Sequence, residues 1–183
     1  MNTPQRVFTR IGPLVMSKDA YDAAITILAD HLLQRGPVHM IIGIANGGTR
    51  PARDLAQATG AALGYVEATH NATDRPWSPA TGLVRCALPA DFPRSVTGRV
   101  LVADDICGSG ATFTAVRDLL AKRLAPPECV ETVALCRNTG APPNAPDLWA
   151  WDVDDWVVFP WEQQPDPTTP TRSLPMPEAV KTP

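Results

Sequence analysis

The chain has 183 residues, a formal net charge of −3 and 44% hydrophobic residues, and this length fits one domain. A chain of this size can bury about 70% of the surface that its unfolded form exposes, so it needs neither disulfides nor a structural metal to fold. The acidic balance, with a pI near 5.5, offers no basic surface for nucleic acid, and no apolar run approaches the ~20 residues that span a membrane.

The first half of the chain alternates helix and strand signals. Ser17 is a candidate N-cap for a helix whose apolar side chains recur with a 3.6-residue period up to Gly36. The short apolar run that follows is typical of a strand buried on both faces. The predicted elements are a helix after Ser17, a strand over 39–45, a helix over 51–60 and a strand over 62–68.

The second half continues the alternation after a long interruption. Residues 69–98 show no periodicity, and a loop of this length in a compact domain is usually functional or mobile. The later elements are strands over 100–103, 130–136 and 156–159 and a helix over 112–124. This order predicts an α/β fold, an open and mostly parallel sheet flanked by helices, in which ligands bind beyond the carboxyl ends of the strands.

The C-terminal segment differs in composition from the rest. Residues 163–183 hold six of the 20 prolines and almost no large apolar side chain. Such a segment buries too little surface to offset the entropy of ordering it. We therefore expect one folded domain at residues 1–162 and a disordered tail at 163–183.

The cysteines and the N-terminus bear on the cellular compartment. Cys86, Cys107, Cys129 and Cys136 form no CxxC pair and lie among apolar neighbours, which is typical of reduced thiols. The first ten residues are polar and lack the apolar core of a secretory signal. Both features favour a cytoplasmic protein.

The strongest functional signal is the segment Val100-Leu-Val-Ala-Asp-Asp-Ile-Cys-Gly-Ser-Gly-Ala-Thr112. A buried strand leads into the adjacent carboxylates of Asp104 and Asp105, then into a loop of small residues and a helix N-terminus. The glycines of the loop let backbone N–H groups turn toward an anion, and the helix dipole adds positive potential there. The acid pair could accept hydrogen bonds from sugar hydroxyls or hold a hydrated Mg²⁺.

Two interpretations of this segment compete. An acidic strand end with a glycine-capped turn is the commoner meaning of an isolated Asp-Asp or GxG pattern. The complete succession of strand, acid pair, small-residue loop and helix favours a phosphate site instead. It is not a Walker A loop, because no Lys follows the glycines, and it is not a dinucleotide fingerprint, because GxGxxG is absent.

Taken together, these residues resemble the type I phosphoribosyltransferase family. Residues 100–112 are similar to its signature for 5-phosphoribosyl 1-pyrophosphate, and Gly43-Ile-Ala-Asn-Gly-Gly-Thr49 resembles its pyrophosphate loop. The 69–98 segment lies where the family has a flexible catalytic loop. The run Asp155-Trp-Val-Val-Phe-Pro-Trp-Glu162 resembles the base-binding hood of xanthine/guanine-type members, and the hood here would span about 137–162.

The resemblance implies how phosphoribosyl pyrophosphate is bound. Asp104 and Asp105 would bind the ribose 2′ and 3′ hydroxyls and serve as the catalytic and metal-binding acid pair. Backbone amides near Asn46 and Gly47 would hold the pyrophosphate. The 5′-phosphate would lie in the loop formed by Cys107, Gly108, Ser109, Gly110, Ala111 and Thr112.

It also implies the reaction and the partners. Trp156 would stack on the nucleobase, Arg137 would reach an exocyclic oxygen, and Glu162 would contact metal-bound water. A nitrogen of a purine or purine-like base would displace pyrophosphate from the anomeric carbon, with Mg²⁺ as cofactor. Members usually form homodimers or homotetramers, and neither nucleic acid nor a membrane is an expected partner.

Two positions depart from the family pattern. Members that use 6-oxopurines typically carry an Asp, the general base toward purine N7, where this chain has Gly108. Relatives often have Arg or Lys at Asn46, so Arg50 or Arg53 would have to supply that charge. These departures keep two alternatives open, namely a non-catalytic regulator that senses phosphoribosyl pyrophosphate or nucleotides, and a transferase for an unusual heterocycle.

Five residues have both a functional and a structural interpretation. His70 or Asp74 could contact pyrophosphate or replace the missing base, but the 70–74 segment is equally consistent with a solvated turn. Trp149 and Trp151 are better explained as core or interface aromatics than as base platforms. Cys107, although a helix N-terminus lowers a thiol pKa, is more simply a packing residue than a nucleophile.

Overall fold

The computed structural model describes residues 6–69, 84–93, 95–122 and 130–183. Its helices are α1 (Lys18–Gln34), α2 (Thr49–Thr59) and α3 (Ala111–Ala121). Its strands are β1 (Leu14–Val15), β2 (Met40–Ala45), β3 (Ala62–Thr69), β4 (Arg85–Ala87), β5 (Val100–Cys107), β6 (Val130–Asn138), β7 (Leu148–Val153), β8 (Val157–Val158) and β9 (Arg172–Ser173). None of the helices in these ranges combines the length and apolarity needed to cross a membrane.

Six of the strands form one open sheet in the order β4-β3-β2-β5-β6-β7. Strands β2, β3, β5, β6 and β7 run parallel, and only the edge strand β4 is antiparallel to its neighbour. The predicted fold class is confirmed. Because β2 and β5 are adjacent and parallel, the loops that follow them meet at one edge of the sheet.

Each face of this sheet packs against helices. Alternate residues of β2, β5 and β6 point to opposite faces. Ile41, Leu101 and Leu135 pack with α1 and α2, whereas Ile42, Val102 and Ala134 pack with α3. All six are at most 1% exposed, which is why these strands read as continuous apolar runs rather than as alternating ones.

The predicted elements are present, and most of their ends lie within two residues of the prediction. Ser17 caps α1, since its Oγ accepts a hydrogen bond from the N–H of Ala20 at 3.1 Å. Gly60 ends α2 in the left-handed conformation, with a φ of 72°. The largest change is in β5, which extends to Cys107, so that the acid pair is part of the strand itself.

Strand β7 was not predicted. Its sequence, LWAWDV, mixes aromatic and acidic residues, and we interpreted Trp149 and Trp151 only as core or interface aromatics. Both are indeed buried, at 4% and 5% exposure. The strand predicted over 156–159 is the two-residue β8, which belongs to a second, three-stranded sheet in the order β8-β1-β9.

The expectation of a disordered tail at 163–183 is wrong. Arg172 and Ser173 of β9 pair with β1, and Leu174 is buried. The indole Nε1 of Trp151 donates to the carbonyl oxygen of Pro175 at 3.0 Å. The composition of the segment suggested disorder because the apolar surface on which the segment packs is supplied by residues outside it. Prolines are compatible with such an edge strand.

The hood predicted at about 137–162 is therefore completed by residues from both sides of it in the sequence, since β1 lies between β8 and β9. Of the loop predicted at 69–98, residues 70–83 and 94 lie outside the described residues. His70 and Asp74 fall in that part. Within the described part, Arg85–Ala87 form β4.

Candidate active site

The acid pair lies at the carboxyl end of β5, at the centre of the main sheet. Asp104 and Asp105 are partly buried, and the backbone N–H of Asp105 donates to Asp104 Oδ1 at 3.0 Å. Burial and the neighbouring Asp105 raise the pKa of Asp104 well above its ordinary value. Burial raises the pKa of Asp105 to about 6, with Arg6 opposing and Glu162 adding to this shift. The pair is therefore a site that favours a cation or hydrogen-bond donors.

The loop after β2 packs directly against this pair. A Cβ added to Gly47 would lie 2.3 Å from Asp105 Oδ2, and one added to Gly48 would lie 2.3 Å from the carbonyl oxygen of Ala103. Only glycine permits this approach, because real Cβ contacts are never that short. Asn46 is exposed at the tip of the same loop. The two loops predicted to bind phosphate groups thus meet at Asp105.

The predicted phosphate loop continues from β5 into α3. Gly110 precedes the helix with a φ of 77°, and its position as N-cap offers no side chain to the first turn. The N–H of Ala111 has only a long 3.4 Å contact with Ser109 Oγ. Helix N-termini of this kind bind anions through backbone N–H groups and the helix dipole. Gly108, Ser109 and Thr112 are all partly exposed, so this N-terminus is accessible.

Cys107 is part of this loop in the sequence, but its side chain is buried, whereas the other loop residues are mostly partly exposed. Its side chain is 2% exposed and packs in the core beside α3. Burial raises the pKa of Cys107 to about 12, with Asp104 adding to the shift. The lowered pKa expected for a helix N-terminus is wrong because desolvation outweighs the dipole. Only the backbone of Cys107 remains a candidate for phosphate binding.

We expect Cys107 to resist alkylation in the folded protein. The thiolate is the reactive form, and a buried thiol with a raised pKa supplies almost none of it at neutral pH. Iodoacetamide labelling followed by peptide mass spectrometry should modify Cys86, which is partly exposed, before Cys107. Both should react once the chain is unfolded. Preferential labelling of Cys107 in the folded protein would contradict this assignment.

Trp156 lies in the C-terminal part of the predicted hood and is partly exposed. Its backbone N–H donates to Asp155 Oδ1 at 2.9 Å, and its carbonyl oxygen accepts from Leu14 N at 2.7 Å. Asp155 itself is 0% exposed. These hydrogen bonds fix the backbone of Trp156, and its partly exposed indole ring lies 6.5 Å from the ring of Phe8.

Arg6 is the residue that the sequence did not suggest for this site. Its guanidinium carbon lies 5.1 Å from the Trp156 ring centroid and 5.0 Å from that of Phe8. Its Cδ is 3.4 Å from the position that a Cβ on Gly108 would take. Burial lowers the pKa of Arg6, while the nearby carboxylates, Asp105 first among them, oppose the shift. An arginine 98 residues away from the acid pair carries no local pattern that would reveal this contact.

The family assignment follows from the chain as a whole. The family model described as a phosphoribosyl transferase domain matches residues 15–168, which include β5, both glycine loops and the hood. The chain belongs to this phosphoribosyl transferase domain family.

Individual relatives are moderately similar to the chain. It is 28% identical over 167 residues to the xanthine-guanine phosphoribosyltransferase of Nitratidesulfovibrio vulgaris, covering 90% of this chain and 91% of the relative. The enzyme of the same name from Gluconobacter oxydans is also 28% identical over 167 residues, covering 89% and 90%. Among solved structures, a purine phosphoribosyltransferase from Pyrococcus horikoshii superposes with a TM-score of 0.69 at 23% identity, covering 85% and 97%. The structural likeness supports the same fold.

Within this phosphoribosyl transferase domain, Arg137 is engaged by its own neighbourhood. Its guanidinium donates to the carbonyl oxygens of Ala145 and Pro142, each at 3.1 Å, and lies over Trp149 at 4.8 Å. It also contacts Asp152 Oδ1 at 3.4 Å and the carbonyl oxygen of Ala141 at 3.5 Å. Binding to an exocyclic oxygen of a base stays a prediction, and it would require Arg137 to release some of these partners.

The two arginines that could supply the positive charge missing at Asn46, Arg50 and Arg53, also contact other side chains. The Arg50 guanidinium lies over Trp161, 5.7 Å from its centroid. Arg53 Nε donates to Asp54 Oδ1 at 3.0 Å. Neither contact directs a cation to the loop after β2. Of the described residues, neither arginine therefore places its charge on the loop that carries Asn46.

The acid pair and Glu162 have the chemistry that Mg²⁺ requires. Carboxylate oxygens are its preferred protein ligands, and Mg²⁺ keeps several waters or substrate phosphates in its coordination shell. Glu162 Oε2 accepts from Phe159 N at 2.9 Å, which fixes this side chain, and its charge contributes to the raised pKa of Asp105. Within the described ranges, no three His, Cys, Asp or Glu side chains lie close enough together to hold a metal ion by themselves. The donor set thus fits a metal shared with a phosphorylated substrate.

Proposed function

We propose that the protein transfers the 5-phosphoribosyl group of phosphoribosyl pyrophosphate to a nitrogen of a purine or purine-like base and releases pyrophosphate. The observation that carries this proposal is the packing of Gly47 against Asp105. It joins the loop after β2 to the acid pair and the phosphate loop after β5. One extended ligand with an anion at each end and a sugar between them would engage all three.

The roles of the residues follow from this arrangement. Asp104 and Asp105 would accept hydrogen bonds from the ribose hydroxyls and hold the ring in place. The N-terminus of α3, with Ser109 and Thr112, would bind the 5′-phosphate, and the amides near Gly47 would bind pyrophosphate. Charge-assisted hydrogen bonds of this kind contribute about 1.5–3 kcal/mol each, so a few of them give firm binding without a lysine.

The reaction breaks the bond between the anomeric carbon and the pyrophosphate oxygen and forms a bond from that carbon to the base nitrogen, and the proton that this nitrogen loses goes to water or to the released pyrophosphate. Trp156 would orient the base by stacking, which brings the attacking nitrogen in line with the leaving group. The carboxylates of the acid pair would stabilise positive charge on the sugar ring as pyrophosphate departs. When bound, Mg²⁺ would neutralise the leaving pyrophosphate. Asp104 and Asp105 are the residues that would hold it, and Glu162 would contact metal-bound water.

The decisive experiment measures pyrophosphate release from phosphoribosyl pyrophosphate and Mg²⁺ across a panel of purines, pyrimidines and analogues. We expect turnover with at least one base and none when Mg²⁺ is chelated. Calorimetric binding of phosphoribosyl pyrophosphate accompanies the assay. Binding without turnover of any base would support the regulator instead, while turnover of a non-purine alone would support the unusual heterocycle.

Gly47→Ala should impair this site selectively. The added methyl group would overlap Asp105, so the loop or the carboxylate has to move, and displacement of about 1 Å in a catalytic site can lower activity about 100-fold. We expect kcat/KM for phosphoribosyl pyrophosphate to fall by at least about tenfold. Gly64→Ala is the matched control, since its methyl group meets mainly the flexible end of Met40. Equal kinetic losses in both variants would contradict the selective effect.

Two further properties belong to the same proposal. The described cysteines Cys86, Cys107 and Cys136 are free, which supports a reducing, cytoplasmic location. A homodimer or homotetramer is the expected assembly, and light scattering at several protein concentrations would determine it.

A further inference from the structure

The N-terminal segment is fixed on the site by side chains of the domain. Asn138, which is fully buried, accepts from Val7 N at 2.7 Å and donates to Val7 O at 2.9 Å. Thr9 Oγ1 donates to Asp155 Oδ2 at 3.0 Å. Asn138 thus binds both the N–H and the carbonyl group of Val7. These two hydrogen bonds fix the preceding residue, Arg6, beside the carboxyl ends of β5 and β6.

The guanidinium of Arg6 lies next to several of the groups that would surround a base. Trp156 is the flat surface on one side, and Gly108 at the phosphate loop is on another. The carboxylates of Asp104, Asp105 and Glu162 are near enough to influence its charge. Gly108 has no side chain, and a Cβ there would be in ordinary van der Waals contact with the aliphatic part of Arg6, 3.4 Å from its Cδ.

Arg6 has an unused hydrogen-bond donor in this position. Its Nε is buried and has no hydrogen-bond partner among the described residues. Buried donors are almost always paired, and leaving one unpaired is costly. A guanidinium offers donors only, so the group that satisfies it must be an acceptor, and a carboxylate or another oxyanion satisfies it best.

We propose that Arg6 is a specificity-determining residue of the base site, and that it selects a heterocyclic base carrying a carboxylate or another anionic acceptor. The inference rests on the proposed function, because it takes Trp156 as the base platform. It also specifies the alternative of a transferase for an unusual heterocycle, since a base with an anionic edge is such a heterocycle. Arg6 would bind that edge, and the acid pair would remain available to the ribose and the metal.

The test compares bases that differ only in a carboxylate, namely uracil with orotate and purine with purine-6-carboxylate. In wild-type protein, we expect a higher kcat/KM for one or both carboxylated members. Arg6→Gln should lower that value by about 10–100-fold, as expected for loss of a charge-assisted hydrogen bond. It should lower the value for the matching neutral base by a clearly smaller factor. Arg6→Lys, which keeps the charge but not the forked donors, should retain part of the preference.

Arg10→Gln is the matched control, because it removes a positive charge from the same segment at an exposed position. An equal rise in kcat/KM for neutral and carboxylated bases in Arg6→Gln would overturn the proposal, because it would show that Arg6 only blocks the base site. Unchanged preferences would overturn it as well. If no base is turned over by wild-type protein, the proposed reaction fails separately. Calorimetric binding of the same four bases to wild-type and Arg6→Gln protein then decides the role of Arg6.

Discussion

Replacing Asp104 and Asp105 together by Asn is expected to lower turnover by about a thousandfold or more while leaving the melting temperature unchanged or higher. Loss of one preorganised electrostatic contact to a transition state costs about 100–1000-fold, and this variant removes two carboxylates. Stability should not suffer, because burial raises the pKa of both groups. A raised pKa means that the folded state disfavours the charged carboxylates at neutral pH.

The measurement combines pyrophosphate release with thermal unfolding of the same preparation. Asp30→Asn serves as the control, since Asp30 is exposed on α1 and the substitution should change neither quantity. A large fall in melting temperature for the double variant would mean that the acid pair is structural. Retained turnover would remove these carboxylates from the mechanism altogether.

The largest effect on stability is expected for Asp155→Ala. Its buried Oδ2 accepts from Ile11 N at 3.0 Å and from Thr9 Oγ1 at 3.0 Å, and it lies 3.5 Å from Arg172 Nη2. Removing one partner of such a buried ionic cluster costs about 3–5 kcal/mol. In a domain of this size, that corresponds to a fall of roughly 6–20 °C in melting temperature.

Asp154→Asn provides the comparison one residue away. Asp154 is 39% exposed and pairs with Arg172 at 3.0 Å, and an exposed pair of this kind contributes about 0–1 kcal/mol. Differential scanning calorimetry of both variants gives the contrast directly. A small shift for Asp155→Ala would show that water enters and replaces the carboxylate, so that the N-terminal segment is held by other contacts.

Most of the main sheet could be predicted because its strands are buried on both faces. A continuous apolar run such as Met40–Ala45 predicts a buried strand by itself. The helix after Ser17 is likewise indicated locally, by its N-cap and by the 3.6-residue period of its apolar side chains. Strand β9 could not be predicted, since its order comes from pairing with β1, 158 residues earlier. Composition describes only the segment's own side chains and says nothing about the surface it will meet.

The same distinction separates the parts of the candidate site. The acid pair and the glycine loops are local patterns, so the sequence alone indicates them. Arg137 was matched by position on β6, but its side chain bonds to the loop after that strand, a choice that depends on tertiary structure. Arg6 reaches the site only because Asn138 and Asp155 hold the chain beside it, and both of those contacts join residues more than 130 positions apart.

The position of β1 between β8 and β9 has a consequence for the order of events during biosynthesis. Residues 14–15 emerge before the main sheet, whereas their two partners at 157–158 and 172–173 emerge after it. Domains generally fold from the N-terminal side during synthesis, so the main sheet can form while β1 still has no partner. The predicted hood, which would bind the base, is then the last part of the site to fold. Nascent chains arrested before β9 should bind a phosphate-bearing sugar before they can select a base.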